Sequence, residues 1–360
     1  MKISQKFLRQ VYDKAHIVRF YLHKRKAYLT LAKRMQQNIP IDESLFSRNI
    51  VAEYQKKWKQ LDPFPSSLFF KLYSSFRNEV DIDYIPDYLY SFPVDLILSN
   101  LRYAIYTENK SIYEKRMPEY NDLFPKSIAF KINGVFYDEN YRYIENIEQF
   151  IDKINLGELI AKESIDSGSG RGVALYIRDI ETGSFKNKLG KPLSVALNEH
   201  TDLVLQEKVA QCEFMRSFNE SSINTFRVVT YRSVKTNEVH IMQSLLRRGP
   251  KDSFLDNLHA GGNLIAITKE GLLAEFGIDE NGKKISSEMG CMKVPYLDKV
   301  HEIAKDIASK DYFNRQLFFD FFIDDQERVR IMEINLTSFP TIHLYCGPAF
   351  GEFTDEVIAY

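Results

Sequence analysis

One stretch near the C-terminus constrains this chain more than any other. Two apolar runs, 317–323 and 329–334, flank the polar residues Asp324, Asp325, Gln326 and Glu327. Apolar runs of this length around a polar turn predict the two strands of a hairpin. Side chains alternate between the faces of a strand, so Glu333 and Asn335, two residues apart, project from the same side. Asp320 lies on the partner strand, where pairing can bring it to that side. Two carboxylates and an amide oxygen make a hard-oxygen set suited to Mg2+, which keeps further positions for water and phosphate oxygens. The same residues also suit the solvent side of an ordinary amphipathic strand, and the hairpin alone leaves both readings open.

With 360 residues the chain can bury a large core, and its length favours two or three subdomains. A formal net charge of −1 predicts no general attraction to nucleic acid. No apolar run approaches the about 20 residues that span a bilayer, and the basic start lacks the apolar segment of a secretory signal. Cys212, Cys291 and Cys346 are far apart and form no CxxC, which argues against a zinc or disulfide framework and for a reducing compartment. A cytoplasmic globular protein is expected.

The first 37 residues predict one or two helices with basic faces, in which Asp13 is the one acid among ten Lys and Arg residues. Such a face is either solvated, with its aliphatic stems lying along the helix, or a contact for an anionic partner such as a membrane surface. Residues 38–100 carry short helical patterns interrupted by Pro40, Pro63, Pro65, Pro86 and Pro93, and no chemistry is legible in them. A helical region over 1–83 is therefore expected ahead of a mixed domain over 84–360.

In that second part Asn109 and Lys110 read as a helix start. Asn133-Gly134 reads as the turn of a short hairpin, and a helix is expected over 144–154. A short strand ending at Lys162 precedes Gly168, Ser169, Gly170, Arg171 and Gly172, and a second strand follows. Glycines let backbone N–H groups approach a phosphate, and Lys162 would add a point charge to the same anion. A plain hairpin loop has the same composition. The loop is not a Walker A motif, because no Gly-Lys-Ser/Thr closes it and a strand follows it. Another apolar strand ends at Gln206, Glu207 and Lys208, where backbone groups could read an adenine edge above Leu205 or Val209. Arg227 sits within an apolar strand, and Arg247 and Arg248 end the next one; a buried arginine needs an anion beside it. Asn257 and His259 lie in a glycine-containing loop that could contact substrate, His259 as base, donor or structural residue. Residues 296–314 predict a helix returning to the hairpin.

In this order the pieces resemble the ATP-grasp superfamily, and within it the sugar-transfer-associated group. The resemblance rests on Asn109-Lys110, Lys162 with the 168–172 loop, the stretch 206–208, and Asp320 with Glu333 and Asn335. Asn224 to Arg227, Arg248-Gly249 and the stretch 256–262 point to the narrower group. It covers roughly residues 84–345. It implies an α+β ATP-grasp fold, two subdomains clasping ATP, with the flap subdomain near 155–210 and the metal-binding one near 211–345. Lys110, Lys162, Gly168, Ser169, Gly170, Gly172, Gln206, Glu207, Lys208 and Asn257 would then contact ATP. Asp320, Glu333 and Asn335 would hold Mg2+, and Arg227, Arg247, Arg248 and His259 would attend the reaction. An acidic ribose contact has no clear match; Glu213 is the nearest acid after the hinge. The implied activity is ADP-forming ligation of a small-molecule carboxylate, by analogy a sugar acid, to an amine or amino acid in surface polysaccharide synthesis. A phosphotransferase, or a non-catalytic nucleotide-binding subunit of a glycan assembly, are the competing readings.

Overall fold

The computed structural model describes residues 5–165, 172–250, 261–286, 290–338 and 341–360. Two sheets organise it. The smaller contains β1 (Ser127–Ile132), β2 (Val135–Asp138), β3 (Glu158–Glu163), β4 (Val173–Arg178), β5 (Phe185–Asn187) and β6 (Leu203–Glu207). Their order is β2-β1-β6-β3-β4-β5. The larger contains β7 (Thr225–Arg232), β8 (Val239–Arg248), β9 (Asn263–Ala266), β10 (Phe276–Ile278), β11 (Lys284–Ser286), β12 (Gln316–Ile323) and β13 (Val329–Asn335), ordered β11-β10-β9-β8-β7-β12-β13. The paired strands in both sheets run antiparallel.

Local chemistry sets the boundaries. Asn133 and Gly134 both take positive φ, 50° and 82°, the geometry a two-residue hairpin turn between β1 and β2 requires. The helix expected over 144–154 is shorter, Ile147–Asp152. Asn146 caps it by accepting from the Gln149 N–H at 2.9 Å, and Ile144 donates its N–H to Phe136 instead. The helix expected over 296–314 runs Leu297–Lys310; beyond it Asp311 accepts from the N–H groups of Phe313 and Asn314.

The larger sheet is covered on both faces, which is why β7 and β12 are buried along their whole length. Val228, Leu246 and Phe319 pack with Val300, Ala304 and Ile307 of the helix Leu297–Lys310. On the other face Val229, Tyr231, Leu245 and Phe318 share a core with three N-terminal helices, α1 (Gln5–Met35), α2 (Arg48–Trp58) and α3 (Leu68–Arg77). Tyr54, Trp58, Phe69 and Tyr73 are the largest contributors from that side, each burying on the order of 150–250 Å² of aromatic surface. By strand alternation this is the face that carries Arg227 and Asp320. The N-terminal helices are thus a wall over that face. Among the described residues no helix is long and apolar enough to cross a membrane.

Candidate active site

A cavity of about 520 Å³ opens between the two sheets. Ile160 and Lys162 of β3, Val173 and Leu175 of β4, and Gln206 of β6 line one side. Their neighbours Leu159, Ala161, Tyr176 and Leu205 turn into the small sheet's own core, as alternation demands. Thr225, Arg247, Asp320, Met332 and Glu333 line the side belonging to the larger sheet.

The strand register creates a charged row. Asp320 pairs directly with Glu333 on one side and with Arg227 on the other. Arg227 grips Asp320 with two bonds, Nε to Oδ1 at 2.6 Å and Nη2 to Oδ2 at 2.7 Å. Arg247 Nη1 adds a third at 2.7 Å to Oδ2. Arg227 Nη1 also donates to Ser338 Oγ at 3.0 Å. Asn335 Nδ2 lies 3.2 Å from Glu333 Oε1 and 3.5 Å from Asp320 Oδ2. Between Asp320 and Phe321 the register slips by one residue of β13, a bulge that leaves Met332 unpaired and lets it line the cavity beside Glu333.

Two lysines complete the site. Asn109 accepts from the N–H and hydroxyl of Ser111, forming the tight turn Lys110–Ile112 that presents Lys110. Lys110 is buried, with Nζ 3.1 Å from Glu333 Oε2. Burial works against its charge, but Glu333, Tyr113 and Glu108 together outweigh it and hold the ammonium above its ordinary value. Burial likewise pushes Glu333 up, while Lys110, Arg247 and Arg227 together pull it well below the usual carboxylate range. Lys162 is different. It is 5% exposed, and no carboxylate stands within ion-pair distance among the described residues. Burial, and then the charge of Lys110, push it down to about 7, with Glu333 opposing.

The structure gathers Lys110, Lys162, Gln206, Glu207, Lys208, Arg247, Asp320 and Glu333 around one cavity. Gln206 is fixed through Nε2 by the Pro125 carbonyl and Ser127 Oγ, Glu207 donates its N–H to Lys126, and Lys208 bonds Glu158 at 2.7 Å. Of the two residues expected beneath an adenine, Val209 lines the cavity, whereas Leu205 belongs to the core. Gly172 lies at φ 72°, the left-handed region that favours glycine, and a Cβ there would also press on the Glu163 side chain. Gly168, Ser169, Gly170, Asn257 and His259 lie outside the described residues. Arg248 is not brought to the cleft: alternation turns it away from Arg247, and Asn263, with its amide oxygen facing the guanidinium, would accept at 2.9 Å. Glu213 opens a short helix, Glu213–Arg216, and does not itself line the cavity; Glu220 does. Lys188, Arg216 and Gln211 also line it, and since they belong to loops and a short helix without a motif, no sequence signal marks them.

The chemistry of these residues fits a nucleotide with a divalent cation. Among the described residues no three His, Cys, Asp or Glu side chains cluster as a metal site; a cation here would have the Asp320 and Glu333 carboxylates and the Asn335 amide as its donors. A carboxylate offers about four lone-pair sites: Glu333 uses two on Lys110 and Asn335, whereas contacts from Arg227, Arg247 and Asn335 already take four on Asp320, so a cation there would displace one of them. Hard oxygen donors beside Lys110 and Lys162 would suit Mg2+ and a phosphate anion.

No curated protein sequence matches the chain. Solved structures that resemble it include the N5-carboxyaminoimidazole synthetase of Staphylococcus aureus complexed with ADP, 13% identical with TM-score 0.39, covering 65% of this chain and 46% of that one. The D-alanine-D-alanine ligase of Coxiella burnetii is 11% identical with TM-score 0.41, covering 72% of this chain and 59% of its own. An L-amino acid ligase of Bacillus licheniformis is 14% identical with TM-score 0.39, covering 72% and 48%. This chain spans less than two thirds of the length of each. The family described as sugar-transfer associated ATP-grasp matches residues 98–345, well over half of the chain. The chain therefore belongs to the sugar-transfer associated ATP-grasp family.

Proposed function

We propose that the protein is an ATP-dependent carboxylate–amine ligase that works through an acyl phosphate and releases ADP. The observation that carries this reading is the pair of buried lysines, Lys110 and Lys162, lining one cavity with Asp320, Glu333 and Arg247. Such an arrangement holds a polyphosphate and neutralises charge at its reacting end, and phosphoryl transfer needs little else from a protein.

Adenine would lie between Val173 and Leu175 on one side and Ile223 and Met332 on the other, with residues 206–208 at its edge. Lys110 and Lys162 would hold the phosphates. Asp320, Glu333 and Asn335 would hold Mg2+, which supplies charge neutralisation at the phosphates. Arg247 and Arg227, both bonded to Asp320 beside the cleft, would neutralise the negative charge of the migrating phosphoryl. The acid's carboxylate oxygen bonds to the γ-phosphorus as the bond to the ADP oxygen breaks. The amine nitrogen then bonds to the acyl carbon, phosphate leaves, and the nitrogen gives up a proton.

The family is described as sugar-transfer associated; by analogy the carboxylate would be a sugar acid and the second substrate an amino acid or simple amine, joined in the cytoplasm for surface polysaccharide synthesis. The basic α1, whose Ile17, Val18 and Leu22 are half exposed, suits contact with an anionic membrane surface. The test is ADP release from Mg·ATP with pooled uronic acids, with and without pooled amino acids and amines. Release that needs both pools is expected. Release with acid alone points to a phosphotransferase, and no release with any combination contradicts the proposal.

A further inference from the structure

On the far side of the charged row lies a second cavity, about 460 Å³, which shares Arg247 and Glu333 with the first. Its outer wall comes from residues ahead of the family match at 98–345: Phe20, Lys24 and Tyr28 of α1, and Ser91 and Asp95 of the connecting segment.

Asp95 is the group in this wall that needs a partner. It is 5% exposed, and its Oδ1 has no hydrogen-bond partner among the described residues. A buried carboxylate oxygen without a donor is costly and is retained where a partner arrives. The charged and titratable groups facing Asp95 do not supply one. Lys24, in the same wall, lies against the Phe20 and Tyr28 rings, 5.5 Å and 6.0 Å from their centroids, and forms no ion pair among the described residues. Glu108, which accepts from the Leu336 N–H at 2.7 Å, adds a second negative charge. Tyr28 and Tyr90 lie beside it, and Arg227, Arg247 and Glu333 line the same cavity, but none reaches its Oδ1. Burial first, and then Glu108, push the Asp95 carboxyl up to about 8, with Lys24 opposing. An incoming cation would reverse that shift.

We propose that this second cavity binds the amine co-substrate as its ammonium ion, with Asp95 as the carboxylate that receives it. This rests on the ligase reading. The amine would approach from the side opposite the nucleotide, and Arg247 and Glu333, common to both cavities, mark where the acyl phosphate forms. Leu96, Leu245 and Ile342 line the cavity with apolar surface, which suits an alkyl chain behind the ammonium.

The test is ligand-observed NMR titration of n-butylamine, with n-butanol as its uncharged counterpart, against the full chain saturated with a non-hydrolysable ATP analogue. Butylamine is expected to bind roughly tenfold more tightly than butanol, and Asp95→Asn to erase that preference. Asp95→Asn changes charge but not volume, and an unchanged thermal midpoint verifies its fold. Ser91→Phe, which fills the cavity, should abolish binding of both. Absence of butylamine binding, or equal binding in wild type and Asp95→Asn, overturns the proposal. Turnover is not read here, so the ligase reading fails separately: acid- and amine-dependent ADP release with an unaltered KM for amine in Asp95→Asn would keep the ligase and remove Asp95.

Discussion

Replacing Lys162 with Met is expected to stabilise the protein and to weaken ATP binding roughly a hundredfold, equivalent to about 3 kcal/mol. Lys162 is buried, and its folded value of about 7 lies below the ordinary 10.5. A depressed lysine destabilises the fold fully below its folded value, and the penalty fades as pH rises toward the unfolded value. The gap sets a ceiling on the order of 5 kcal/mol, and relaxation around the site leaves an expected gain of about 2 kcal/mol at pH 6. Wild-type stability should therefore rise relative to Lys162→Met between pH 7 and pH 10, and the two curves should converge at the alkaline end. Denaturant unfolding at pH 6, 8 and 10, with calorimetry of ATP binding, reads both effects. A variant that is less stable at pH 6, or that binds ATP as tightly as wild type, would contradict the role assigned to Lys162. Stability withheld at a functional position is the usual trade between the two.

Asp320→Asn should show the opposite signature, losing stability and turnover together. Asp320 is 2% exposed and accepts three hydrogen bonds from two guanidinium groups. Neutralising it leaves the buried Arg227 and the half-buried Arg247 without their shared anion, at a cost of about 3 kcal/mol. That is a large share of the roughly 5–15 kcal/mol of a typical domain, yet the chain should still fold. ADP formation should fall on the order of 10³-fold, because the charged end of the cleft loses both a proposed cation ligand and the clamp that aims Arg227 and Arg247. Denaturant unfolding and ADP release, measured with increasing Mg2+, separate the two losses. Turnover within a few-fold of wild type would remove Asp320 from the proposed cation site.

Sequence patterning alone reached the hairpin and its polar face, because a period of two with a single polar turn admits few alternatives. It also reached the Asn133-Gly134 turn, where both residues take the positive φ that this pair favours. It did not reach the environment of Asp320. Strand alternation could place that carboxylate on a face, but only the three-strand register shows Arg227 and Glu333 on either side of it. The bulge at Met332 is invisible for the same reason, since register is a property of two strands. Arg248 reads like Arg247 in a list of residues, yet one step along β8 reverses its direction. Asp95 was the least legible. Residues 38–100 show no motif, and a single aspartate in a proline-broken stretch acquires meaning only when α1 and the larger sheet enclose it. Glu220 was hidden likewise, in a loop whose path back to the cleft no periodicity encodes.

The central claim is that a carboxylate oxygen of the substrate attacks the terminal phosphorus of ATP. The most direct measurement supplies 18O-carboxylate-labelled uronic acids with Mg·ATP and the amine pool, and follows the isotope into inorganic phosphate by mass spectrometry. One 18O per phosphate, with ADP as the nucleotide product, is the predicted result. Unlabelled phosphate alongside amide formation, or AMP in place of ADP, would contradict it.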